Sequence, residues 1–118
     1  MSIIVLFRIV PREGVDEGAY GQAFQHMVAE VSASKGFLAI EGFAAEDGTE
    51  LAVARFASVE DVKNWRDHPA HVKTRDRGRN EFFQSYEIIV AEQRRTYAWD
   101  LERDGPSNPP PTYYTSEY

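Results

Sequence analysis

The chain has 118 residues, of which 13 are basic and 19 acidic, and it contains no cysteine. A chain of this length forms one domain and buries about two thirds of the surface that it exposes when unfolded. The lack of cysteine excludes disulfides and thiolate chemistry. The net charge of −6 argues against nucleic acid as a partner. The apolar stretch 1–10 carries Arg8 and is too short to span a membrane. We therefore expect a cytoplasmic protein that binds neither nucleic acid nor membrane.

The first half of the chain predicts a strand, a helix and a hairpin. Residues 3–10 are β-branched and aromatic, with apolar side chains at both parities, which is typical of a strand covered on both faces. Apolar residues then recur at helical spacing from Asp16 to about Gly36. Two further strands, 37–45 and 50–57, flank an Asp47-Gly48 pair that is a strong signal for a tight hairpin.

The second half predicts a helix, a short helical turn and a long last strand. Ser58 followed by Asp61 resembles a capping box, so a helix should begin at this point. Pro69 ends that helix by Asp67 and starts the second turn. The last strand is predicted over 82–95. A basic patch precedes it, which we interpret as a solvated face: Lys73, Arg75, Arg77 and Arg79.

The order strand, helix, strand, strand, helix, strand predicts an α+β fold of the ferredoxin-like type with an antiparallel sheet. Two helices cover one face of such a sheet, yet the first and last strands of the chain are apolar at both parities. A homodimer in which two sheets meet face to face would cover the second face. Each strand also carries one charge near its middle, and we expect these charges to form a row across the sheet in the order Glu87, Arg8, Arg55, Glu41.

The composition changes after Thr96. Residues 104–111 are rich in proline, which cannot continue a ladder of strands, and residues 113–118 are mostly aromatic and polar. We interpret 1–97 as the folded domain and 98–118 as a proline-rich C-terminal arm. An arm without its own core that takes one conformation should lie against another surface, and we favour that of a neighbouring subunit.

Several motifs together resemble the antibiotic biosynthesis monooxygenase family over residues 3–97: Gly36-Phe37-Leu38, Asp47-Gly48, Trp65, His68-Pro69-Ala70-His71, Gly78-Arg79 and Phe82-Phe83 through Tyr86. The resemblance implies a dimeric α/β barrel with a pocket between the helices and the sheet of each subunit. It also implies chemistry of two kinds. Some members are cofactor-independent monooxygenases that oxidise polycyclic phenols to quinones, and others bind and degrade heme.

The resemblance assigns roles to individual positions. Trp65 matches the pocket tryptophan of the phenol-oxidising members. The asparagine that accompanies it one turn earlier falls on Asp61, whereas Asn64 should point elsewhere. Heme-degrading members carry an asparagine on the first strand, and this chain has none there. Heme degradation is therefore the less favoured of the two activities.

The candidate catalytic residues are Trp65 and His71. An indole offers a flat apolar wall and one N–H donor, although the same residue could simply belong to the core. His71 could remove the proton of a phenol, so that the phenolate can give an electron to O₂. His68 could cap the short helical turn or, together with His71, bind a metal ion, but a third ligand is not evident. We expect His26 to be structural.

Further side chains are candidates for binding the substrate: Phe24, Met27, Phe43, Phe56, His68, Phe82 and Tyr86. No motif for a nucleotide or a nucleophile is present, and we expect neither a cofactor nor a metal. The favoured function is a cofactor-independent monooxygenase that oxidises an aromatic or polycyclic phenol. The alternatives are a non-catalytic ligand-binding or assembly module of the same fold and a heme-binding or heme-degrading protein.

Overall fold

A computed structural model describes residues 2–106. The chain forms a four-stranded antiparallel sheet with helices on one face, which confirms the ferredoxin-like α+β prediction. The second helical connection contains two helices and a π-helical turn. The elements are β1 (Ile3–Pro11), α1 (Glu17–Ser32), β2 (Phe37–Ala44), β3 (Glu50–Phe56), α2 (Val59–Arg66), α3 (Pro69–Arg77), the π-helical turn (Gly78–Phe82), β4 (Phe83–Glu92) and α4 (Leu101–Asp104).

The strand order across the sheet is β2-β3-β1-β4, which is the order predicted from the sequence. The Asp47-Gly48 hairpin joins β2 to β3, and Gly48 has a φ of 90° that suits glycine. No helix in residues 2–106 has both the length and the apolar character that crossing a membrane requires.

Polar side chains cap the N-termini of α1, α2 and α3. Asp16 accepts a hydrogen bond from Ala19 N at the start of α1. The Ser58 hydroxyl accepts from Asp61 N and donates to the Asp61 carboxylate, so the predicted cap is present. His68 caps α3 by accepting from Ala70 N. These bonds satisfy backbone N–H groups that would otherwise have no partner in the first helical turn.

The hydrophobic core lies between the helices and the sheet. Val31 of α1, Phe56 of β3 and Trp65 of α2 are its buried centre. Val5, Met27, Phe37, Ala54 and Val62 pack around them. The core therefore joins both helical connections to the two central strands.

Phe43 does not face the helices, which corrects its predicted place in the pocket wall. Phe37 pairs with the core residue Phe56, but the register then shifts, and Ala39 pairs with Arg55. This bulge inserts one extra residue, so the alternation of side chains is reversed along the rest of β2. Phe43 consequently lies on the face of the sheet away from the helices, opposite Leu51, and is 54% exposed.

The predicted row of charges is also wrong in its register. Arg8 lies opposite Glu87 on β4, as expected, but its partner on β3 is Leu51. Arg55 is four residues further along β3 and donates a hydrogen bond to Gln93 at 2.9 Å. The four charges share one face of the sheet without forming a line.

The ends of two elements differ from their predicted positions. Helix α1 ends at Ser32, and Gly36 instead forms the left-handed turn into β2 with a φ of 78°. The last strand spans Phe83–Glu92, because Phe82 belongs to the π-helical turn. Of the predicted arm, residues 98–106 are described. The proline run from 109 and the aromatic end at 113–118 lie outside the described residues.

Replacing Gly36 by Ala should lower the free energy of unfolding by about 2–4 kcal/mol. A Cβ at Gly36 would lie 2.0 Å from the Asp61 carboxylate in addition to forcing a side chain into the left-handed region. Gly48→Ala is the matched control, because Gly48 is also left-handed but a Cβ added there would meet nothing within 4 Å. Urea denaturation checks both variants. Equal losses would show that the contact with Asp61 adds nothing to the backbone strain.

Candidate active site

A cavity of about 200 Å³ lies between the helices and the sheet, and its lining is mostly apolar. Residues predicted for the site come from α1, β3, α2, α3, the π-helical turn and β4. Those that line the cavity are Phe24, Met27, Phe56, Trp65, His71, Phe82 and Tyr86. Two predicted residues are outside it, namely Phe43 on the opposite face of the sheet and His68 at the start of α3.

Trp65 is both a core residue and a wall of the cavity. Its side chain is buried at 8% exposure and packs with Val31 and Phe56. The indole ring is also close to two imidazoles. The ring centre of His68 is 5.6 Å away in a stacked arrangement, and that of His71 is 5.2 Å away in a tilted one. The core and pocket interpretations of Trp65 are therefore compatible.

The two ring nitrogens of His71 have different roles. Nδ1 lies 3.0 Å from the carbonyl oxygen of Arg66. A carbonyl oxygen only accepts hydrogen bonds, so Nδ1 carries the proton and Nε2 has the free lone pair. Burial lowers the pKa of His71. The hydrogen bond to Arg66 O raises this pKa, and the positive charge of the nearby Arg75 lowers it further. His71 is therefore a neutral imidazole with an available basic nitrogen near pH 7.

The His71 pKa should be measurably below its usual value of 6.5. Histidine-selective NMR titration of the folded protein tests this, with the protein unfolded in urea as the reference. Because the unfolded chain then binds the proton more readily, the free energy of unfolding should decrease as the pH falls below 6.5. A His71 midpoint at or above the unfolded value would contradict the burial of this ring.

Tyr86 and Arg79 form a polar pair at the edge of the cavity. Nε of Arg79 donates to the Tyr86 hydroxyl at 2.7 Å, and Nη2 donates to the same oxygen. The Arg79 guanidinium also lies 5.5 Å from the centre of the Tyr86 ring. The sequence predicts Arg79 as part of a solvated face, but in the structure this residue fixes the Tyr86 side chain.

The half-buried Tyr20 places a further hydroxyl on the helix side. It donates to the Glu50 carboxylate at 2.7 Å and packs against Phe82 with ring centres 5.2 Å apart. Burial, followed by the hydrogen bond to Glu50, raises the pKa of Tyr20 far above its usual range. This hydroxyl therefore stays protonated, and it is a structural link between α1 and β3.

The π-helical turn Gly78–Phe82 brings the end of α3 close to β4. A Cβ at Gly78 would lie 2.2 Å from the ring of Phe83, so only glycine fits there. Arg12 holds the turn from the other side, donating to the carbonyl oxygens of Asn80 and Arg79 at 2.8 Å each. Turns of this kind often occur at functional sites. Here the turn places Phe82 in the cavity wall.

Sequence reasoning missed several lining residues, including Phe7, Tyr20 and Phe83. Phe7 could have been found, because it shares the parity of Val5 and Ile9 on β1. The position of Phe83 depends on the π-helical turn, which has no clear signal in the sequence.

Asp61 does not line the cavity, although the resemblance placed it where related proteins have a pocket asparagine. Its carboxylate accepts from the Ser58 hydroxyl at 2.8 Å and lies beside Gly36. Asp61 is buried at 8% exposure and therefore stabilises the start of α2. Other polar side chains of the cavity lining, such as His71 and Tyr86, are available to a ligand instead.

The donor set does not favour a metal site. Within residues 2–106, no three His, Cys, Asp or Glu side chains come together in a way that could hold a metal ion. Nδ1 of His68 accepts from Ala70 N, so this nitrogen is not available to a metal ion.

Known proteins resemble this chain in sequence as well as in fold. The family profile "Antibiotic biosynthesis monooxygenase" matches residues 2–77. The uncharacterised protein YqjZ of Bacillus subtilis is 30% identical over 91 residues, which cover 77% of this chain and 78% of YqjZ.

Two solved structures have the same fold. Rv0793 from Mycobacterium tuberculosis gives a TM-score of 0.73 at 16% identity, over 83% of this chain and all of that one. SnoaB, a cofactor-independent oxygenase from Streptomyces nogalater, gives 0.70 at 12% identity, over 80% of this chain and 95% of SnoaB. The profile match and the identity to YqjZ together show that this chain belongs to the antibiotic biosynthesis monooxygenase family.

Proposed function

We propose that this protein is a cofactor-independent monooxygenase that oxidises a phenol to a quinone with O₂. The observation that carries the proposal is the His71 imidazole in the lining of an apolar cavity beside the Trp65 indole, with Nδ1 3.0 Å from Arg66 O, an arrangement that leaves Nε2 to act as the base. SnoaB, which shares the fold, is a cofactor-independent oxygenase, and this likeness supports the same class of reaction.

In the proposed reaction His71 removes the proton from the phenol hydroxyl. The phenolate gives one electron to O₂, and the resulting radical pair combines at a ring carbon that carries hydrogen, which forms a C–O bond. The peroxide is protonated, the ring C–H proton leaves, and the O–O bond breaks with release of water. One oxygen atom remains in the quinone, the other leaves as water, and the phenol supplies all four electrons.

The surroundings of His71 suit this sequence of steps. A base whose pKa lies near or just below the working pH is unprotonated when the phenol arrives. The apolar walls exclude water, and Trp65 offers a flat surface for the ring. The cavity lining also includes Arg66 and Arg75, which are ion-paired with Asp67 and Asp76.

The size of the cavity restricts the substrate. About 200 Å³ is below the 300–1,000 Å³ or so that is typical of pockets for drug-sized ligands. We therefore favour a phenol of one or two rings over a larger polycyclic compound, and over a heme macrocycle.

The homodimer also belongs to this proposal. The face of the sheet away from the helices is not covered by other described residues, and besides its four charges it exposes large apolar side chains, among them Phe43 at 54% and Ile89 at 46%. Family members with this fold commonly form dimers, and a second copy is the occupant that would cover such a face. A cytoplasmic location remains a prediction.

Oxygen consumption with a panel of one-ring and two-ring phenols tests the proposed reaction. We expect at least one phenol to consume O₂ faster with the protein than in buffer, and ¹⁸O₂ should place one labelled atom in the quinone. Consumption at the buffer rate for every phenol, together with saturable binding to the same protein, would favour a ligand-binding module instead.

A further inference from the structure

The cavity opens to solvent along β4, which is an outer strand of the sheet. Tyr86, Ile88 and Val90 line the cavity from this strand. Ile88 and Val90 are nevertheless 50% and 52% exposed, so solvent reaches the lining here. We call the edge formed by Tyr86, Ile88 and Val90 the mouth of the cavity.

Tyr86 is held in one position at the mouth. Its ring packs edge-on against Phe7 and Phe83, with ring centres 5.4 Å and 5.6 Å away. The hydroxyl oxygen accepts from Nε of Arg79 at 2.7 Å and also from Nη2. Among residues 2–106 the hydroxyl hydrogen itself has no acceptor. Tyr86 thus keeps one O–H that can donate to a ligand.

Arg79 carries a positive charge that no carboxylate of the described chain balances by an ion pair. Glu81 in the same turn is already paired with Arg77. Glu92 shares the face of Tyr86 but lies further along β4, about 20 Å away at the usual rise of a strand. Nη1 of Arg79 makes no hydrogen bond within residues 2–106. The guanidinium therefore has N–H groups and charge to spare for an anion.

Arg12 fixes the backbone that carries Arg79 and adds positive charge beside it. Its guanidinium donates to the carbonyl oxygens of Arg79 and Asn80 at 2.8 Å each. Arg12 likewise forms no ion pair in the part of the chain that the structure describes. The chain as a whole has a net charge of −6, so this positive charge is local and favours an anion at this turn.

We propose that the phenol bound in the cavity carries a carboxylate, and that Tyr86 and Arg79 bind this group at the mouth. The Tyr86 O–H and Nη1 of Arg79 donate to the carboxylate oxygens, while the ring occupies the apolar cavity beside Trp65. A planar guanidinium matches a planar carboxylate well. The inference rests on the proposed function in taking the ligand to be a phenol, and it names the class: hydroxylated aromatic acids.

Binding without oxygen tests the proposal. Hydroxybenzoates and hydroxycinnamates, each beside its neutral amide, are titrated into the protein under nitrogen, and Kd is measured by protein-observed NMR. We expect at least one acid to bind about tenfold more tightly than its amide, and added salt should reduce this preference. Amides that all bind as tightly as their acids would overturn the proposal. Because no turnover is needed, a lack of oxygen consumption counts against the proposed reaction alone.

The variant Arg79→Gln should reduce the preference for the acid to about twofold or less. Arg79 is exposed, and its carbonyl can still accept from Arg12, so the variant should fold. Lys73→Gln is the matched control, because it changes the net charge equally at an exposed position on α3. It should keep the full preference. Equal effects of the two substitutions would contradict the proposal, since the preference would then come from overall charge.

Competition with inorganic phosphate shows whether the cavity takes part. Phosphate has no ring to place beside Trp65, so at the concentration of the acid it should not displace the acid from the native protein. Displacement to the extent expected for an equal competitor would overturn the proposal, because the anion would then bind to Arg79 without the cavity.

Discussion

Replacing His71 by Ala is expected to lower kcat/KM for oxygen consumption with a phenol by about 10²–10⁴-fold, the usual contribution of a general base. The variant loses the Nε2 lone pair that accepts the phenol proton. It also loses the hydrogen bond from Nδ1 to Arg66 O, which costs about 1 kcal/mol of stability. The loss of rate should therefore be much larger than any loss of folded protein, as measured by circular dichroism at the assay temperature.

His26→Ala is the matched control for this prediction. The His26 side chain is 69% exposed on α1, and its contact there is with Glu30 at 3.9 Å. We expect its kcat/KM to equal that of the original protein. A phenol that is oxidised at the same rate by the His71→Ala variant would eliminate His71 as the base, because another group or the solvent would then take the proton.

Replacing Trp65 by Ala is expected to lower the free energy of unfolding by about 3–5 kcal/mol. Trp65 is 8% exposed and packs with Val31 and Phe56 at the centre of the core. Its removal leaves a void beside the existing cavity, and the surrounding helices can fill only part of it. Urea denaturation followed by circular dichroism measures the change.

Two further variants show whether the loss of stability comes from removing the buried indole. Val59→Ala removes an apolar side chain that is 54% exposed on the same helix, and it should change stability by no more than about 0.5 kcal/mol. Trp65→Phe keeps an aromatic ring and should cost less than Trp65→Ala. If Trp65→Ala proved as mild as Val59→Ala, the indole would not belong to the core.

The sequence predicts the fold well, because the fold depends on local signals. Apolar alternation locates the strands, Asp47-Gly48 locates the hairpin, and Ser58 and Pro69 locate the starts of α2 and α3. The strand order follows from the order of the elements and from the known preference of this arrangement. None of these inferences requires knowing which side chains touch.

The details that failed depend on register. A single bulge near Leu38 reverses the facing of the rest of β2 and so removes Phe43 from the pocket. Arg55 and Arg8 are apart for a similar reason. A row of charges can be predicted only if the register of every pair of strands is known, and the sequence does not give that register. Because of the π-helical turn, β4 begins at Phe83 instead of Phe82. The same turn brings the Phe83 ring against Gly78.

The sequence predicts the composition of the candidate site but not its chemistry. Trp65 and His71 are identified by their residue types and by resemblance to a family. The direction of the His71 ring depends on the carbonyl of Arg66, and the fixed position of Tyr86 depends on Arg79. Arg66 lies at the end of α2 and Arg79 in the π-helical turn, so both partners depend on how α3 is joined to its neighbours.

The most direct test is to observe His71 with a phenol bound under anaerobic conditions, where no turnover occurs. With ¹⁵N-labelled histidine, the Nε2 signal of the free protein should be that of an unprotonated nitrogen, and a bound phenol should move it toward the protonated range. Nδ1 should remain protonated throughout. If saturating phenol leaves the His71 signals unchanged, or if Nε2 already carries the proton in the free protein, the proposed base and its cavity are contradicted.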